Sequence, residues 1–136
     1  MAAPVELLKE VPLFQGVDRK QLKRVADAFV DRSFVSGQEL TSEGGAGVGF
    51  FVIESGEVRV TVDGEERRVL GHGEYFGEVA LLDAGLRTAT ITAISDGKMY
   101  GLTPWQFRPL VEENASIAWP LLQAMAKRTR ELEQRG

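Results

Sequence analysis

Residues 50–70 read FFVIESGEVRVTVDGEERRVL, and this stretch decides the fold. Phe50-Phe51-Val52-Ile53 is a short apolar run that ends at Ser55-Gly56. Val58-Arg59-Val60-Thr61-Val62 then alternates apolar and polar residues up to Asp63-Gly64. A period of two puts the apolar side chains on one face of a strand. Asp-Gly between two such runs predicts a two-residue hairpin turn, because those turns need positive φ at both central positions. Val69-Leu70 then belongs to the returning strand. Ala89-Thr90-Ile91-Thr92-Ala93-Ile94 and Lys98-Met99-Tyr100-Gly101-Leu102 continue the rhythm. Thirteen of the fifteen glycines lie between Gly37 and Gly101, so the turn chemistry is concentrated where the strands are. Strands of this size and spacing predict a compact antiparallel barrel or jelly roll.

The flanks read as helices. Asp18 is placed to cap a helix through Leu22, Val25, Ala26 and Phe29, whose 3–4 spacing buries one face. Thr103-Pro104 gives the order of N-cap then N1 proline, with Phe107, Leu110 and Val111 on one side of the helix that follows. A last segment, from about Ile117 to Arg135, carries Leu121, Leu122, Met125 and Leu132, with Pro120 in its first turn or at a kink. That stripe is expected to be core or lid packing, with a share of it available as a dimer seam. Trp105 and Trp119 are expected to anchor their helices, with Trp119 alternatively able to approach a pocket if the last helix closes over it. The fold class is therefore α+β: an antiparallel β-barrel flanked by N-terminal and C-terminal helices. One domain is expected over residues 1–136, with a helical N-terminus at about 4–31, the barrel at about 32–102 and C-terminal helices at about 103–135.

Composition narrows the function. The chain has 136 residues, 43% hydrophobic and 26% charged, the proportions of an ordinary globular domain. Sixteen basic against twenty acidic residues give a formal net charge of -4. That argues against general electrostatic attachment to nucleic acid or an anionic membrane, though not against a local basic pocket. There is no cysteine, hence no disulfide and no thiol chemistry. A lone histidine, His72, cannot build a site that needs several His or Cys ligands, and it is read as a loop residue. The N-terminus, MAAPVELLKEVPLF, lacks the pattern of a signal peptide, and no run approaches the length of a membrane span. The expectation is a cytoplasmic protein with no metal and with neither nucleic acid nor membrane as partner.

Residues 76–90, FGEVALLDAGLRTAT, carry the chemistry. Glu78 and Arg87 stand nine residues apart, the first after a glycine and the second before three small residues. A turn at Gly77 lets backbone N–H groups approach an anion, and the run Val79-Ala80-Leu81-Leu82 has the length of a single helical turn whose N-terminus faces it. Arg87 can bind a phosphate through a planar, charge-assisted fork, and Glu78 can accept from a sugar hydroxyl. Other nucleotide motifs fail on spacing. In Gly71-His72-Gly73-Glu74-Tyr75-Phe76-Gly77 the third glycine comes one residue late for a dinucleotide fingerprint, and there is no G-x-x-x-x-G-K. One arginine with backbone amides, and no lysine nearby, suits a singly charged phosphodiester better than a triphosphate.

The segment resembles the phosphate-binding cassette of cyclic nucleotide-binding domains, F-G-E-x-A-L followed by a short loop and R-[small]-A-[ST]. Phe76, Gly77, Glu78, Ala80, Leu81, Arg87, Thr88, Ala89 and Thr90 match it. Upstream, Glu43-Gly44, Gly47, Phe51 and Ser55-Gly56 are similar to the family's first strands, and the likeness runs from about Val11 to Leu132. Leu86 stands where the family usually has a turn-former, and Val48 replaces a common acidic residue. The resemblance implies a jelly roll, or double-stranded β-helix. Arg87 would lie on the cyclic phosphate and Glu78 on the ribose 2′-hydroxyl. Backbone amides of the Gly77, Val79, Ala80, Thr88 and Ala89 region would complete the cradle, with Val60 and Leu70 lining the base pocket.

A binding protein rather than an enzyme follows from the resemblance: a sensor of cAMP, ahead of cGMP, that shifts its C-terminal helices on binding. With about sixteen residues after Pro120, it is expected to be either a free-standing sensor that acts on a protein effector in trans or a fragment of a longer protein, with a homodimer through the C-terminal helix as an option. Thr88 does not settle the base. Two alternatives share the fold: an interaction module with a decayed pocket, and a cupin-like barrel enzyme, which one histidine does not equip with metal ligands.

Overall fold

The computed structural model describes residues 3–41, 49–77, 81 and 89–135. Among them eight strands form two four-stranded antiparallel sheets. They are β1 (Val30–Phe34), β2 (Glu39–Thr41), β3 (Phe50–Ser55), β4 (Val58–Val62), β5 (Glu65–Leu70), β6 (Tyr75–Phe76), β7 (Thr90–Ala93) and β8 (Gly97–Leu102). The first sheet runs β1-β8-β3-β6 and the second β2-β7-β4-β5. This is the expected antiparallel jelly roll with one correction. The barrel is not closed, since neither sheet's described strands hydrogen-bond to the other's, and the two sheets meet through side chains.

The hairpin at the centre of the sequence reading forms as its chemistry requires. Asp63 and Gly64 adopt φ of 53° and 76°, and Val62 pairs with Glu65 across the turn. Val58 and Val60 are buried while Arg59 between them is exposed. Three strands had no legible pattern. In β1 only Phe34 is fully buried, β2 has three residues and β6 two.

Among the described residues, four helices and the 3-10 turn at Pro12–Phe14 cover the outer face of the first sheet. They are α1 (Val5–Leu8), the turn Pro12–Phe14, α2 (Arg19–Ala28), α3 (Pro104–Glu113) and α4 (Ala115–Arg135). The Asp18 carboxylate caps α2, accepting from the Gln21 N–H at 2.9 Å. Phe29 is buried as expected but lies past the helix, on extended backbone that leads into β1. At the start of α3 the Gln106 side chain reaches back and accepts from both the N–H and the hydroxyl of Thr103, at 3.1 and 2.8 Å.

Two apolar clusters result. One joins the helices to the outer face of the first sheet and includes Phe14, Phe29, Phe50, Val52, Tyr100, Leu102, Phe107, Ile117 and Leu121. Phe14 stands edge-on to Phe50 and Phe107, with centroids 5.9 and 6.5 Å apart. Such pairs add about 0.5–1.5 kcal/mol beyond simple burial. Burial pushes the Tyr100 hydroxyl up from its ordinary pKa, with the Glu54 carboxylate beside it acting in the same direction. The other cluster lies between the sheets: Phe34, Ile53, Val58, Val60, Leu70, Phe76, Ile91, Ala93 and Met99.

The C-terminal helices depart from the sequence expectation in three ways. Trp105 and Trp119 are 67% and 64% exposed and anchor nothing. Each lies two residues from a buried position, Phe107 and Ile117, and two residues on a helix is about 200° around its axis. The stripe Leu121, Leu122, Met125 and Leu132 splits. Leu121 is buried and Met125 half-buried, whereas Leu122 and Leu132 are 62% and 56% exposed. Pro120 is the sixth residue of α4, outside the first turn, and the helix continues through it. A Cβ on Gly16 would come within 3.1 Å of the Pro120 Cβ, so the N-terminal turn presses directly on that position.

Candidate functional site

Of the residues expected to hold ligand, Gly77, Ala89, Val60 and Leu70 are placed. Glu78, Val79, Ala80, Arg87 and Thr88 lie outside the described residues, as do Leu86, Val48, Glu43, Gly44 and Gly47. What the structure fixes is the frame around that segment. It leaves the first sheet at β6 and enters the second at β7. Phe76 stacks on Phe51, with centroids 5.2 Å apart at 30°, and belongs to the inter-sheet cluster. Gly77 follows with φ of 84°, a conformation that costs other residues strain and glycine almost none. At the far end Ala89 packs on the same cluster, and its carbonyl accepts from the Thr41 hydroxyl at 3.3 Å. Leu81, between these ends, is buried in the other cluster, among the helices. The segment is thus tied to both cores.

The turn that precedes β6 is pinned to β3. Gly73 N–H donates to the Ile53 carbonyl at 2.8 Å, and Ile53 N–H donates to the Glu74 carbonyl at 2.9 Å. The Glu74 carboxylate accepts from Gly71 N–H at 2.9 Å. His72 Nδ1 lies 2.6 Å from the Glu54 carbonyl. A carbonyl only accepts, so this nitrogen carries the proton and the ring is held in a loop, as its isolation in sequence led us to expect.

Facing this turn is a cavity of about 690 Å³, within the range of about 300–1,000 Å³ typical of small-molecule sites. One wall is Arg68 and Leu70 of β5 with the turn from His72 to Tyr75. The opposite wall is the second half of α4, from Ala124 to Leu132, and the floor is Pro12, Leu13 and Gln15. Leu70 belongs both to this cavity and to the inter-sheet cluster. Val60 belongs to the cluster and not to the cavity wall. Sequence reasoning named Leu70 and missed Arg68. The signal was available: two residues back along a strand returns to the same face, and Arg68 pairs with Val60 as Leu70 pairs with Val58.

Among the described residues no three His, Cys, Asp or Glu side chains gather to hold a metal ion. No described helix is long and apolar enough to cross a membrane.

Comparison with known proteins agrees with this frame. A family model described as the cyclic nucleotide-binding domain matches residues 31–114. The "Cyclic AMP receptor protein" of Thermus thermophilus is 30% identical over 131 residues, 93% of this chain and 61% of that protein. The "cGMP-dependent protein kinase, isozyme 1" of Drosophila melanogaster is 37% identical over 100 residues, 68% of this chain and 13% of the kinase. The crystal structure of the N-terminal domain of a transcriptional regulator from Streptomyces coelicolor superposes with a TM-score of 0.86 at 30% identity, covering 96% of this chain and 94% of that one. The chain spans less than two thirds of the length of these curated relatives.

Proposed function

The chain belongs to the cyclic nucleotide-binding domain family, and on that premise we propose that it senses a cyclic purine nucleotide and passes the signal through α4. The observation that carries this reading is the anchoring of residues 77–89 in two cores. Phe76 and Ala89 hold its ends between the sheets, and Leu81 is buried among the helices. A ligand that draws the segment inward pulls on Leu81, and through it on the helical cluster that fixes Ile117 and Leu121 of α4. The second half of α4 is mostly exposed and forms one wall of the cavity, and in this reading it closes over the base. Closure needs the ligand to favour the closed state by a few kcal/mol.

In this reading Arg87 pairs with the cyclic phosphate and Glu78 with the ribose 2′-hydroxyl. Backbone amides of Gly77, Val79, Ala80, Thr88 and Ala89 complete the cradle, and Leu70 with Val60 behind it receives the base. The ligand is cAMP or cGMP, the two nucleotides named in the relatives. No catalytic residue is assigned, and residues 1–136 act as one binding domain on an effector in trans. One solved relative is part of a transcriptional regulator. The acidic balance of this chain therefore speaks for its own surface and not for any longer polypeptide. A second copy is a further partner for α4, where Ala118, Leu122, Met125, Thr129 and Leu132 recur at a 4-3-4-3 spacing with Leu122 and Leu132 exposed.

Calorimetric titration of the purified protein with cAMP and cGMP tests the reading. Saturable binding of either supports it. Heat from neither would leave the interaction module with a decayed pocket as the better account.

A further inference from the structure

We propose that Gly101 is a positioning residue for the ligand site: it leaves room for the Phe51 ring, and that ring sets where the chain departs from the first sheet into residues 77–89. The inference rests on the nucleotide-binding reading above. Val30 of β1, Gly101 of β8, Phe51 of β3 and Phe76 of β6 stand in direct register, one on each strand of the first sheet. Residues in direct register share a face. Here it is the face of the inter-sheet cluster, to which Phe51 and Phe76 belong. The row ends one residue before Gly77, where the chain turns with φ of 84°.

Nothing in the backbone asks for glycine at position 101. Its φ is not in the left-handed region, and a glycine inside a strand forgoes packing and costs conformational entropy. What requires it is the close approach of a neighbour. A Cβ there would lie 2.6 Å from Cε1 and 2.9 Å from Cδ1 of Phe51, and one on Gly49 would lie 3.0 Å from Cζ. The Phe51 ring thus lies across the two glycines instead of standing off the sheet. It also stacks on Phe76, with centroids 5.2 Å apart. Arg32 Nε is 3.6 Å from the same Cβ position on Gly101, an ordinary contact, so a methyl at 101 would press on the ring alone. Because β3 lies between β8 and β6, a ring pushed off Gly101 moves toward Phe76. The contact has to open from 2.6 Å to at least 3.4 Å. That exceeds the roughly 0.5 Å within which a binding constellation must be held.

The test separates position from stability. Calorimetry on the full chain with cAMP and cGMP compares the natural protein with Gly101→Ala, Phe51→Leu and the double variant, and thermal unfolding confirms that each folds. Gly101→Ala should weaken binding of the preferred nucleotide by about tenfold. Phe51→Leu shortens the neighbour, so adding Gly101→Ala to it should change affinity by less than about threefold. Val52→Ala, one residue along β3 but facing the helical cluster, is the control. It should lower the unfolding midpoint and keep affinity within about threefold of the natural value. In the nucleotide-free protein the Gly77 amide resonance should move on Gly101→Ala, and by much less when the same substitution is made beside Phe51→Leu. An unmoved Gly77 resonance, an affinity unchanged by Gly101→Ala, or an equal loss in Val52→Ala overturns the inference and leaves the sensor reading standing. So does a Gly101→Ala loss undiminished in the Phe51→Leu background. A natural protein that binds neither nucleotide overturns both.

Discussion

The two apolar clusters are built differently, and the difference separates what holds the molecule together from what it uses. The helical cluster is the larger and is built on Phe14, Phe29, Phe50 and Phe107, each at most 2% exposed and meeting edge to face. It borders the cavity under α4 at its margin, through Leu13, Tyr75, Ala124 and Met125, and the smaller inter-sheet cluster borders it from the strand side, through Leu70. The aromatic packing that holds the molecule together is concentrated in the first, and the proposed base contact at Leu70 belongs to the second. The segment between β6 and β7 matters because its described residues reach both, Phe76 and Ala89 on one side and Leu81 on the other.

That comparison can be broken by substitution. Phe107→Ala, in the helical cluster, should destabilise the protein by about 3–5 kcal/mol in denaturant unfolding, the range for a buried aromatic. Leu70→Ala should cost less, about 2–3 kcal/mol, yet weaken nucleotide binding severalfold. If the Phe107 variant loses no more stability than the Leu70 variant, the clusters do not differ as described. Leu81→Ala is the sharpest probe, because it cuts one of the two ties. It should cost about 2–3 kcal/mol and keep nucleotide binding, while amide exchange in residues 122–135 stops responding to ligand. Persistence of that response would show that α4 is not coupled through Leu81. Asp18→Ala removes the cap of α2 and should cost about 1 kcal/mol in thermal unfolding. Trp119→Ala should shift stability by no more than about 0.5 kcal/mol, as for other surface sites; a larger loss would restore it as an anchor.

How much of this was legible in the sequence follows from how strongly each residue's neighbours constrain it. The hairpin at Asp63-Gly64, the cap at Asp18 and the Thr103-Pro104 helix start were readable because each is a local device with its own chemistry. β1 was not, since a strand with one fully buried residue has no alternation to detect. The two tryptophans misled because size suggested anchoring, whereas helical phase relative to Phe107 and Ile117 turns them outward. Arg68 was overlooked because a charged residue reads as surface, and it is indeed exposed, although the period of two puts it on the same side of β5 as Leu70.

The central claim is that the segment from Gly77 to Ala89 binds a cyclic phosphodiester through Arg87. Calorimetry on the natural protein and Arg87→Ala, each titrated with the preferred nucleotide, tests it most directly. One charge-assisted contact is worth about 1.5–3 kcal/mol, so the substitution should weaken binding at least about tenfold while the unfolding transition stays in place. An affinity unchanged by the loss of Arg87 would contradict the account.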